Sequence, residues 1–217
     1  MKPLLIYCYD AYCGWCYGFS PVMKKIDEQY KDLLDIEVLS GGMMTGDQVM
    51  PIEKIGPFIQ RSYHRVEELT GIKFGEDFLW HTLNPDKSDW VMNSEKPAIA
   101  LCIFKEYFPA QQVEFASDLQ YALNYEGRDL DDDEAYRHLL EKYTIPAEAF
   151  YEKLKSEAYR EKAYYEFALC KQLNVDAFPQ VLMQFSETKF YLLAKGFTPF
   201  DDLQERISNV LKENAAA

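Results

Sequence analysis

The chain has 217 residues, of which 48% are hydrophobic and 15% aromatic, enough for the core of one folded domain or of one domain with a large insertion. Its formal net charge of −13 argues against nucleic-acid binding, which needs Lys and Arg to neutralise phosphates, and against attachment to anionic membranes. Neither a signal peptide nor a run of about 18 apolar residues is recognisable, so we expect a cytoplasmic protein without a membrane span.

The first predicted strand, Leu4 to Tyr9, is followed closely by Cys13 and Cys16, with Gly14 and Trp15 between them. A helix is predicted to begin at about Trp15 or Cys16, so both sulfurs should lie on one face of its first turn, close enough to bridge. The start of a helix carries unpaired N–H groups and a partial positive charge, which favour a thiolate at Cys13. Because the thiolate is the nucleophile in disulfide exchange, this spacing indicates redox chemistry.

The same C-x-x-C spacing is also half of a zinc site, which needs two more ligands. The remaining cysteines, Cys8, Cys102 and Cys170, are solitary, and the three histidines lack metal-ligand spacing. The redox interpretation is therefore preferred, and no metal site is expected. Cys102 is predicted to be a core residue, and so is Cys8, although a role for Cys8 beside Cys13 stays open.

The first helix is predicted to end between Tyr30 and Leu34. A kink or short break is expected near Phe19 to Pro21, since a proline inside a helix lacks an N–H and crowds the preceding turn. Residues 35–39 alternate polar and apolar side chains and form the second predicted strand, which ends at Gly41 and Gly42.

From residue 43 to about residue 159 the sequence predicts helices joined by turns. The helix over residues 51–69 should be interrupted at Gly56-Pro57. Residues 71–93 have several turn-forming residues and poor periodicity, so an irregular loop is predicted there. Ser94 is a favourable N-cap for the helix that follows.

Strand patterns return after Asn174. Two apolar runs, residues 175–184 and 189–193, are separated by a short polar turn and predict a β-hairpin. Residues 199–211 then predict an amphipathic terminal helix.

The order of these elements, together with the residues at a few key places, resembles the thioredoxin superfamily. It is most similar to the DsbA-like thiol–disulfide oxidoreductases, in which a helical domain is inserted into the thioredoxin fold, and among them to the FrnE-related cytoplasmic members. The resemblance spans nearly the whole chain. It rests on four motifs: Cys13-Gly14-Trp15-Cys16, Asn93-Ser94, Tyr125-Glu126-Gly127-Arg128-Asp129 and Leu173-Asn174-Val175-Asp176-Ala177-Phe178-Pro179.

This resemblance implies an α/β protein with the thioredoxin fold. The central sheet would be mixed, with about four strands and helices on both faces. A large all-helical insertion would follow the second strand. The implied domains are a discontinuous thioredoxin-like domain, residues 1–42 and 157–217, and a helical insertion domain, residues 43–156.

The resemblance also implies the site. In this family the proline that matches Pro179 is cis and lies against the cysteines, and the backbone of the residue before it, Phe178, pairs with an extended substrate strand. Cys13 and Cys16 would be catalytic, and the substrate-binding residues would be Phe178, Pro179, Gly14 and Trp15. The Gly-Trp dipeptide differs from the Pro-His of the strongly oxidising periplasmic enzyme, so that enzyme's redox potential does not transfer.

We therefore predict a dithiol–disulfide oxidoreductase, similar to protein disulfide isomerases, that exchanges disulfides through a mixed disulfide on Cys13 which Cys16 resolves. No metal, flavin or nucleotide is expected. Partners would be proteins or small molecules with thiols or disulfides, with glutathione as a possible co-substrate, and the sequence leaves the oligomeric state open. Two alternatives remain: a glutathione-dependent isomerase or transferase on the same scaffold, and a non-catalytic metal-binding or adaptor protein.

Overall fold

The computed structural model describes residues 2–215, the last of them by its backbone alone. In chain order its strands are β1 (Leu4–Tyr9), β2 (Asp35–Ser40), β3 (Met50–Pro51), β4 (Val91–Met92), β5 (Gln180–Gln184) and β6 (Phe190–Lys195). The main sheet has four strands in the order β2-β1-β5-β6. Strands β1 and β2 are parallel, with Leu4 opposite Asp35, whereas β5 is antiparallel to both of its neighbours.

The helices, in chain order, are α1 (Gly14–Tyr30), α2 (Ile52–Thr70), α3 (Glu76–Leu83), α4 (Glu95–Tyr107), α5 (Gln112–Asn124), α6 (Arg137–Lys142), α7 (Ala147–Leu154), α8 (Glu157–Gln172) and α9 (Phe200–Ala215). Within residues 2–215, none of them combines the length and apolar character that a membrane-crossing helix needs. Six of these helices, α2 to α7, lie between β2 and α8, so a helical segment is inserted after the second strand of the main sheet.

Both faces of β1 are buried, which explains its continuous apolar sequence. Leu5, Tyr7 and Tyr9 point into the main core, which they share with α1 and the insertion. Ile6 and Cys8 point to the other face, into a smaller apolar cluster under α8. The predicted mixed four-stranded sheet with helices on both faces is confirmed, while the division of the chain at residues 42/43 and 156/157 stays a prediction.

The insertion is not entirely helical, and the loop predicted over residues 71–93 was wrong. This segment contains α3 and the strand β4, which pairs antiparallel with β3. Buried Phe78 and Trp90 fix it against the core, and the Trp90 carbonyl accepts from the Ile52 N–H at 2.9 Å. An eight-residue helix shows too little periodicity to be distinguished among turn-forming residues, so tertiary packing decides its structure.

Neither helix is broken at its proline, so the interruption predicted at Gly56-Pro57 was wrong, while the alternative of a kink near Pro21 stays a prediction. Helix α1 runs through Pro21, and α2 runs through Pro57. Pro21 has no N–H for the carbonyl of Tyr17, but the Ser20 hydroxyl donates to that carbonyl at 2.9 Å and replaces the missing bond.

Candidate active site

Cys13 is the N-cap residue of α1, where the chain leaves the end of β1 and enters the helix. Its backbone is extended, with φ −84° and ψ 107°, and its N–H donates to the Asp10 carbonyl at 3.1 Å, closing the turn. The helix therefore begins at Gly14, one or two residues before its predicted start at Trp15 or Cys16. This position places the Cys13 side chain at the positive end of the helix dipole.

The Cys13 sulfur lies between the first turn of α1 and the loop before β5. It accepts a hydrogen bond from the Cys16 N–H at 3.3 Å, and as a thiol it donates to the Phe178 carbonyl at 3.6 Å. A Cys13 thiolate would still accept from the Cys16 N–H, but it would have no proton to donate to the Phe178 carbonyl. The structure thus brings the Cys13 sulfur next to the Cys16 N–H and to the carbonyl of Phe178, the residue before Pro179.

Cys16 differs from Cys13 in its surroundings. It is fully buried, with 0% of its surface exposed against 6% for Cys13. Burial raises the pKa of Cys16 well above its usual value, and the neighbouring Cys13 sulfur raises it further. Cys16 therefore stays protonated at neutral pH, whereas Cys13 lines an open cavity.

The Phe178-Pro179 peptide bond is cis, in agreement with the expectation from sequence. The Phe178 ring packs directly over Gly41, where an added Cβ would lie only 2.0 Å from the ring atom Cζ. Gly41 thus has a role beyond ending β2, because any side chain there would displace the ring next to Cys13. Only the folded chain, which brings residue 41 to residue 178, reveals this requirement.

Gly14 and Trp15, between the two cysteines, both line the cavity beside Cys13. A Cβ at Gly14 would make an ordinary contact of 3.5 Å with the Phe74 ring, so the space around Gly14 does not by itself demand glycine. Their role in substrate binding stays a prediction, as does that of Phe178 and Pro179.

Asp10 is a site residue that sequence reasoning missed. Its buried carboxylate accepts from the Met43 N–H at 2.7 Å, the Tyr12 N–H at 3.0 Å and the Ser94 hydroxyl at 2.8 Å. Ser94 is the N-cap residue of α4, as predicted, but its hydroxyl makes no cap hydrogen bond to that helix and accepts from the Met44 N–H at 3.0 Å. Asp10 and Ser94 instead hold the active-site turn against the insertion.

Burial raises the pKa of Asp10, although the hydrogen bonds from Met43, Ser94 and Tyr12 partly oppose that shift. The Asp10 carbonyl also accepts from the Gln120 side-chain amide at 3.3 Å. A single aspartate after a buried strand carries no local signal for this network, because every partner except Tyr12 and Cys13 is distant in sequence.

Two buried tyrosines of β1 also lie close to the cysteines. The hydroxyls of Tyr7 and Tyr9 have no hydrogen-bond partner within the part of the chain that the structure describes. Burial raises the pKa of each well above its usual value, and for Tyr7 the two cysteine sulfurs contribute next. Both hydroxyls therefore stay neutral behind the cysteine pair.

The other cysteines are buried away from this site. Cys8 lies on the opposite face of the sheet in the apolar cluster with Cys170, which answers the question that the sequence left open about its position. The Cys102 thiol donates to Glu166 at 3.5 Å and is a core residue, as predicted. Across residues 2–215 there is no group of three or more His, Cys, Asp or Glu side chains placed to hold a metal ion.

A cavity of about 220 Å³ opens beside Cys13, between the first turn of α1 and helix α2. Trp15 and Phe178 border it on the side of the sheet, and Ile55 and Ile59 border it on the side of the insertion. The site thus combines a cysteine at a helix start, a second buried cysteine one turn away and a cis-proline loop against the first sulfur. With the mixed four-stranded sheet, these features define a dithiol protein of the thioredoxin-like class.

A sequence model of the DSBA-like thioredoxin domain matches residues 5–208, so the chain belongs to the DSBA-like thioredoxin domain family. It therefore has the fold of DsbA-like thiol–disulfide oxidoreductases, a family made up mostly of oxidoreductases and isomerases. No curated protein sequence matches the chain.

Several solved structures are similar over nearly the full length. A candidate protein disulfide isomerase from Nitrosomonas europaea has a TM-score of 0.83 and 23% identity, covering 98% of this chain and 99% of its own. The cytosolic disulfide reductase DsbM from Pseudomonas aeruginosa has a TM-score of 0.74 and 26% identity, with 96% and 98% covered. A 2-hydroxychromene-2-carboxylate isomerase shares the fold at 15% identity and a TM-score of 0.68, with 98% of each chain covered.

Proposed function

We propose that this protein is a thiol–disulfide oxidoreductase in which Cys13 is the attacking nucleophile and Cys16 the resolving thiol. One observation carries the proposal: the Cys13 sulfur accepts the N–H of Cys16 at the start of a helix, while Cys16 itself is sealed in the core. The helix N-terminus stabilises negative charge on Cys13, and burial keeps Cys16 protonated until it is needed.

In the first step, the Cys13 thiolate attacks one sulfur of a substrate disulfide. A bond forms between Cys13 and that sulfur, the substrate S–S bond breaks, and the other substrate sulfur leaves as a thiolate. The product is a mixed disulfide at the mouth of the cavity, where the Phe178 carbonyl lies beside Cys13.

In the second step, Cys16 loses its proton and attacks the Cys13 sulfur. The mixed disulfide breaks, Cys13 and Cys16 become joined, and the second substrate sulfur leaves as a thiolate that takes up a proton. Two electrons have passed from the protein dithiol to the substrate disulfide. Two molecules of a small thiol such as glutathione reduce the Cys13–Cys16 disulfide again and leave joined as their own disulfide. The same steps in reverse oxidise a substrate dithiol.

Phe178, Pro179, Gly14 and Trp15 are proposed to hold the substrate beside Cys13. The positions of these residues support this role: the Phe178 carbonyl contacts the Cys13 sulfur, and Gly14 and Trp15 line the adjacent cavity. The proposed substrates are proteins or small molecules with disulfides. A structure of DsbM with glutathione, at 26% identity, supports a role for glutathione as a thiol partner.

A cytoplasmic location is proposed as well. The similar reductase DsbM is described as cytosolic, which supports this location. Reduction of disulfides would be the favoured direction there, because cytoplasmic thiol pools keep small disulfides scarce.

A glutathione-dependent isomerase is the second candidate function, favoured by the apolar cavity beside Cys13 and by the shared fold of the chromene carboxylate isomerase. Such a reaction would not need Cys16. Isomerase turnover that requires glutathione and survives Cys16→Ser would therefore establish it in place of the oxidoreductase.

The experiment that tests the main proposal is equilibration of the reduced protein with glutathione buffers, followed by acid quenching and mass spectrometry. The wild type should form the Cys13–Cys16 disulfide, and Cys16→Ser should stop as a glutathione adduct on Cys13. Cys102→Ser is the matched control and should behave as the wild type. Absence of both the disulfide and the adduct over the whole buffer range would reject the proposal.

A further inference from the structure

The glycine that follows β2 lies much closer to the candidate active site than its place in the sequence suggests. Gly41 contacts the ring of Phe178, whose carbonyl lies 3.6 Å from the Cys13 sulfur. A Cβ at Gly41 would lie 2.0 Å from Cζ of that ring, 2.1 Å from Cε1 and 2.9 Å from Cε2. Cβ atoms do not approach other heavy atoms this closely, so a side chain at residue 41 requires either the ring or the end of the strand to move.

The backbone at Gly41 has little freedom to move. Its N–H donates to the Tyr9 carbonyl at 2.7 Å, which continues the pairing of β2 with β1 by one residue. Two residues later, the Met43 N–H donates to the buried Asp10 carboxylate at 2.7 Å. Because hydrogen bonds hold the chain on both sides of this position, an added side chain must displace the Phe178 ring instead.

The Phe178 ring cannot move without consequence for its own backbone. The ring packs against the apolar clusters on both faces of the main sheet, so its neighbours limit its rotation. Phe178 lies in the loop between α8 and β5, and the pairing of β5 with β1 begins only at Gln180. The loop backbone is therefore the part that yields, and the carbonyl beside Cys13 moves with it.

The Phe178 carbonyl affects the two forms of Cys13 in opposite ways. It accepts from the thiol, which stabilises the neutral form, whereas the partial negative charge on its oxygen faces a thiolate unfavourably. The same carbonyl is proposed to lie beside the substrate during exchange. Moving it away should therefore make Cys13 ionise more readily and exchange disulfides more slowly.

We infer that Gly41 is a positioning residue of the site: the lack of a side chain lets the Phe178 ring pack on the end of β2, and this packing holds the Phe178 carbonyl beside the Cys13 sulfur. The expected effect on disulfide exchange rests on the proposed function. The expected effects on stability and on the ionisation of Cys13 rest on the packing alone.

The test is a double-substitution cycle with Gly41→Ala, Phe178→Ala and the two combined. With the ring present, Gly41→Ala should lower the midpoint of thermal unfolding by about 5 °C or more, because the ring loses its packed position. The φ of Gly41 is not positive, so an alanine fits its backbone. Without the ring, the same substitution should leave the midpoint unchanged or raise it slightly, since alanine lowers the entropy of the unfolded chain.

The second measurement is the rate at which iodoacetamide alkylates Cys13, followed over pH by peptide mapping. On the acidic side of the profile, Gly41→Ala should react about 3- to 10-fold faster than the wild type, the change expected when one hydrogen bond to the thiol is lost. Exchange with glutathione disulfide should slow by about 10- to 100-fold. A variant that is merely less stable would instead expose Cys16 and Cys170 to alkylation as well.

Gly42→Ala is the matched control. A Cβ at Gly42 would lie 2.7 Å from the Phe167 ring on α8, and the φ of Gly42 is +66°, so this substitution should also lower the unfolding midpoint. Phe178→Ala should restore the stability of Gly41→Ala but not that of Gly42→Ala. The alkylation profile of Cys13 in Gly42→Ala should match the wild type.

An unchanged alkylation profile in Gly41→Ala would overturn the inference, because the ring would then have moved without the carbonyl. Equal destabilisation by Gly41→Ala with and without the Phe178 ring would overturn it too. Absence of disulfide exchange in the wild type would reject the proposed function, while the stability and alkylation results would still decide the role of Gly41.

Discussion

Two pairs of buried cysteines belong to different apolar clusters on the two faces of the main sheet, and they differ in their backbone setting and in their access to a cavity. Cys13 and Cys16 lie at the start of α1, beside an open cavity. Cys8 and Cys170 face each other in a small apolar cluster, at 0% and 2% exposure. The Cys170 thiol donates to the Ser40 carbonyl at 3.6 Å, and neighbouring Cys8, followed by burial, raises the pKa of Cys170 far above its usual value.

Under the proposed function, in which only the pair at the start of α1 exchanges disulfides, two adjacent thiols are not enough for redox chemistry. A thiolate needs hydrogen-bond donors and a favourable dipole, and its partner disulfide needs a path to reach it. Cys13 has a donor, the Cys16 N–H, at the positive end of a helix dipole, and it lines an open cavity. The Cys8–Cys170 pair beneath α8 has an acceptor, the Ser40 carbonyl, and apolar neighbours. The two pairs have the same number of cysteines. They differ in the backbone group that faces the sulfur, which is an N–H donor at Cys13 and a carbonyl acceptor at Cys170.

The most direct test of the difference between the two pairs is to remove one sulfur from each. Cys13→Ser should lower disulfide reductase turnover by more than about 1,000-fold, equivalent to about 4 kcal/mol of activation free energy, because a serine hydroxyl is not ionised at neutral pH. Cys8→Ala is the control and should keep turnover within about twofold. Turnover with a fluorogenic disulfide in a glutathione buffer measures both, and equal losses would contradict the assignment.

Removal of the resolving thiol should have the next largest effect. Cys16→Ser should lower turnover by about 100-fold, because the mixed disulfide on Cys13 then waits for a thiol from solution. Mass spectrometry of the quenched reaction should show the substrate joined to Cys13. Unchanged turnover would mean that an external thiol normally resolves the intermediate, as in the isomerase alternative.

The Asp10 network supports the candidate active pair, because it binds backbone N–H groups on both sides of the turn and the Ser94 hydroxyl. Asp10→Ala would leave two buried N–H groups and the Ser94 hydroxyl without their acceptor, so the free energy of unfolding should fall by about 2–4 kcal/mol. Urea denaturation followed by circular dichroism measures this change. A fall below about 1 kcal/mol would show that water or a local shift replaces the carboxylate.

The pH dependence of Asp10 gives an independent check on that network. Because burial raises the folded pKa of Asp10 above its ordinary value of 3.8, the folded chain binds this proton more tightly than the unfolded chain. The stabilisation due to the protonated carboxyl is therefore present at low pH and is lost as pH rises through the raised pKa. Relative to Asp10→Asn, the wild type should lose stability over this interval, and an opposite trend would contradict a raised pKa.

Thiol labelling should show a smaller but direct difference between the pairs. The raised pKa values of Cys16 and Cys170 keep both protonated at about pH 8, so iodoacetamide should label Cys13 more than about tenfold faster than either. Denaturant should expose all five cysteines to labelling. Peptide mapping after a short pulse measures the distribution, and rapid labelling of Cys170 in the folded protein would show that the core pair is accessible.

Much of the site followed from local sequence. The bounds of β1 were predicted correctly, and the start of α1 was predicted to within one or two residues, because a buried strand followed by a capped amphipathic helix is encoded by neighbouring residues. The cis bond at Pro179 was expected from the resemblance and is present. Helix α3 was missed, since its eight residues are too few for a clear period.

Local sequence, then, determined that a cysteine pair would lie at the start of a helix after a buried strand, because chain geometry and capping act over a few residues. The tertiary structure alone decided which groups surround that pair: the Phe178 ring over Gly41, the carboxylate of Asp10 bound to Ser94, and the uncharged cavity under α2. These contacts join residues distant in the chain, and their partners are selected by packing and buried hydrogen bonds, which local sequence patterns do not record.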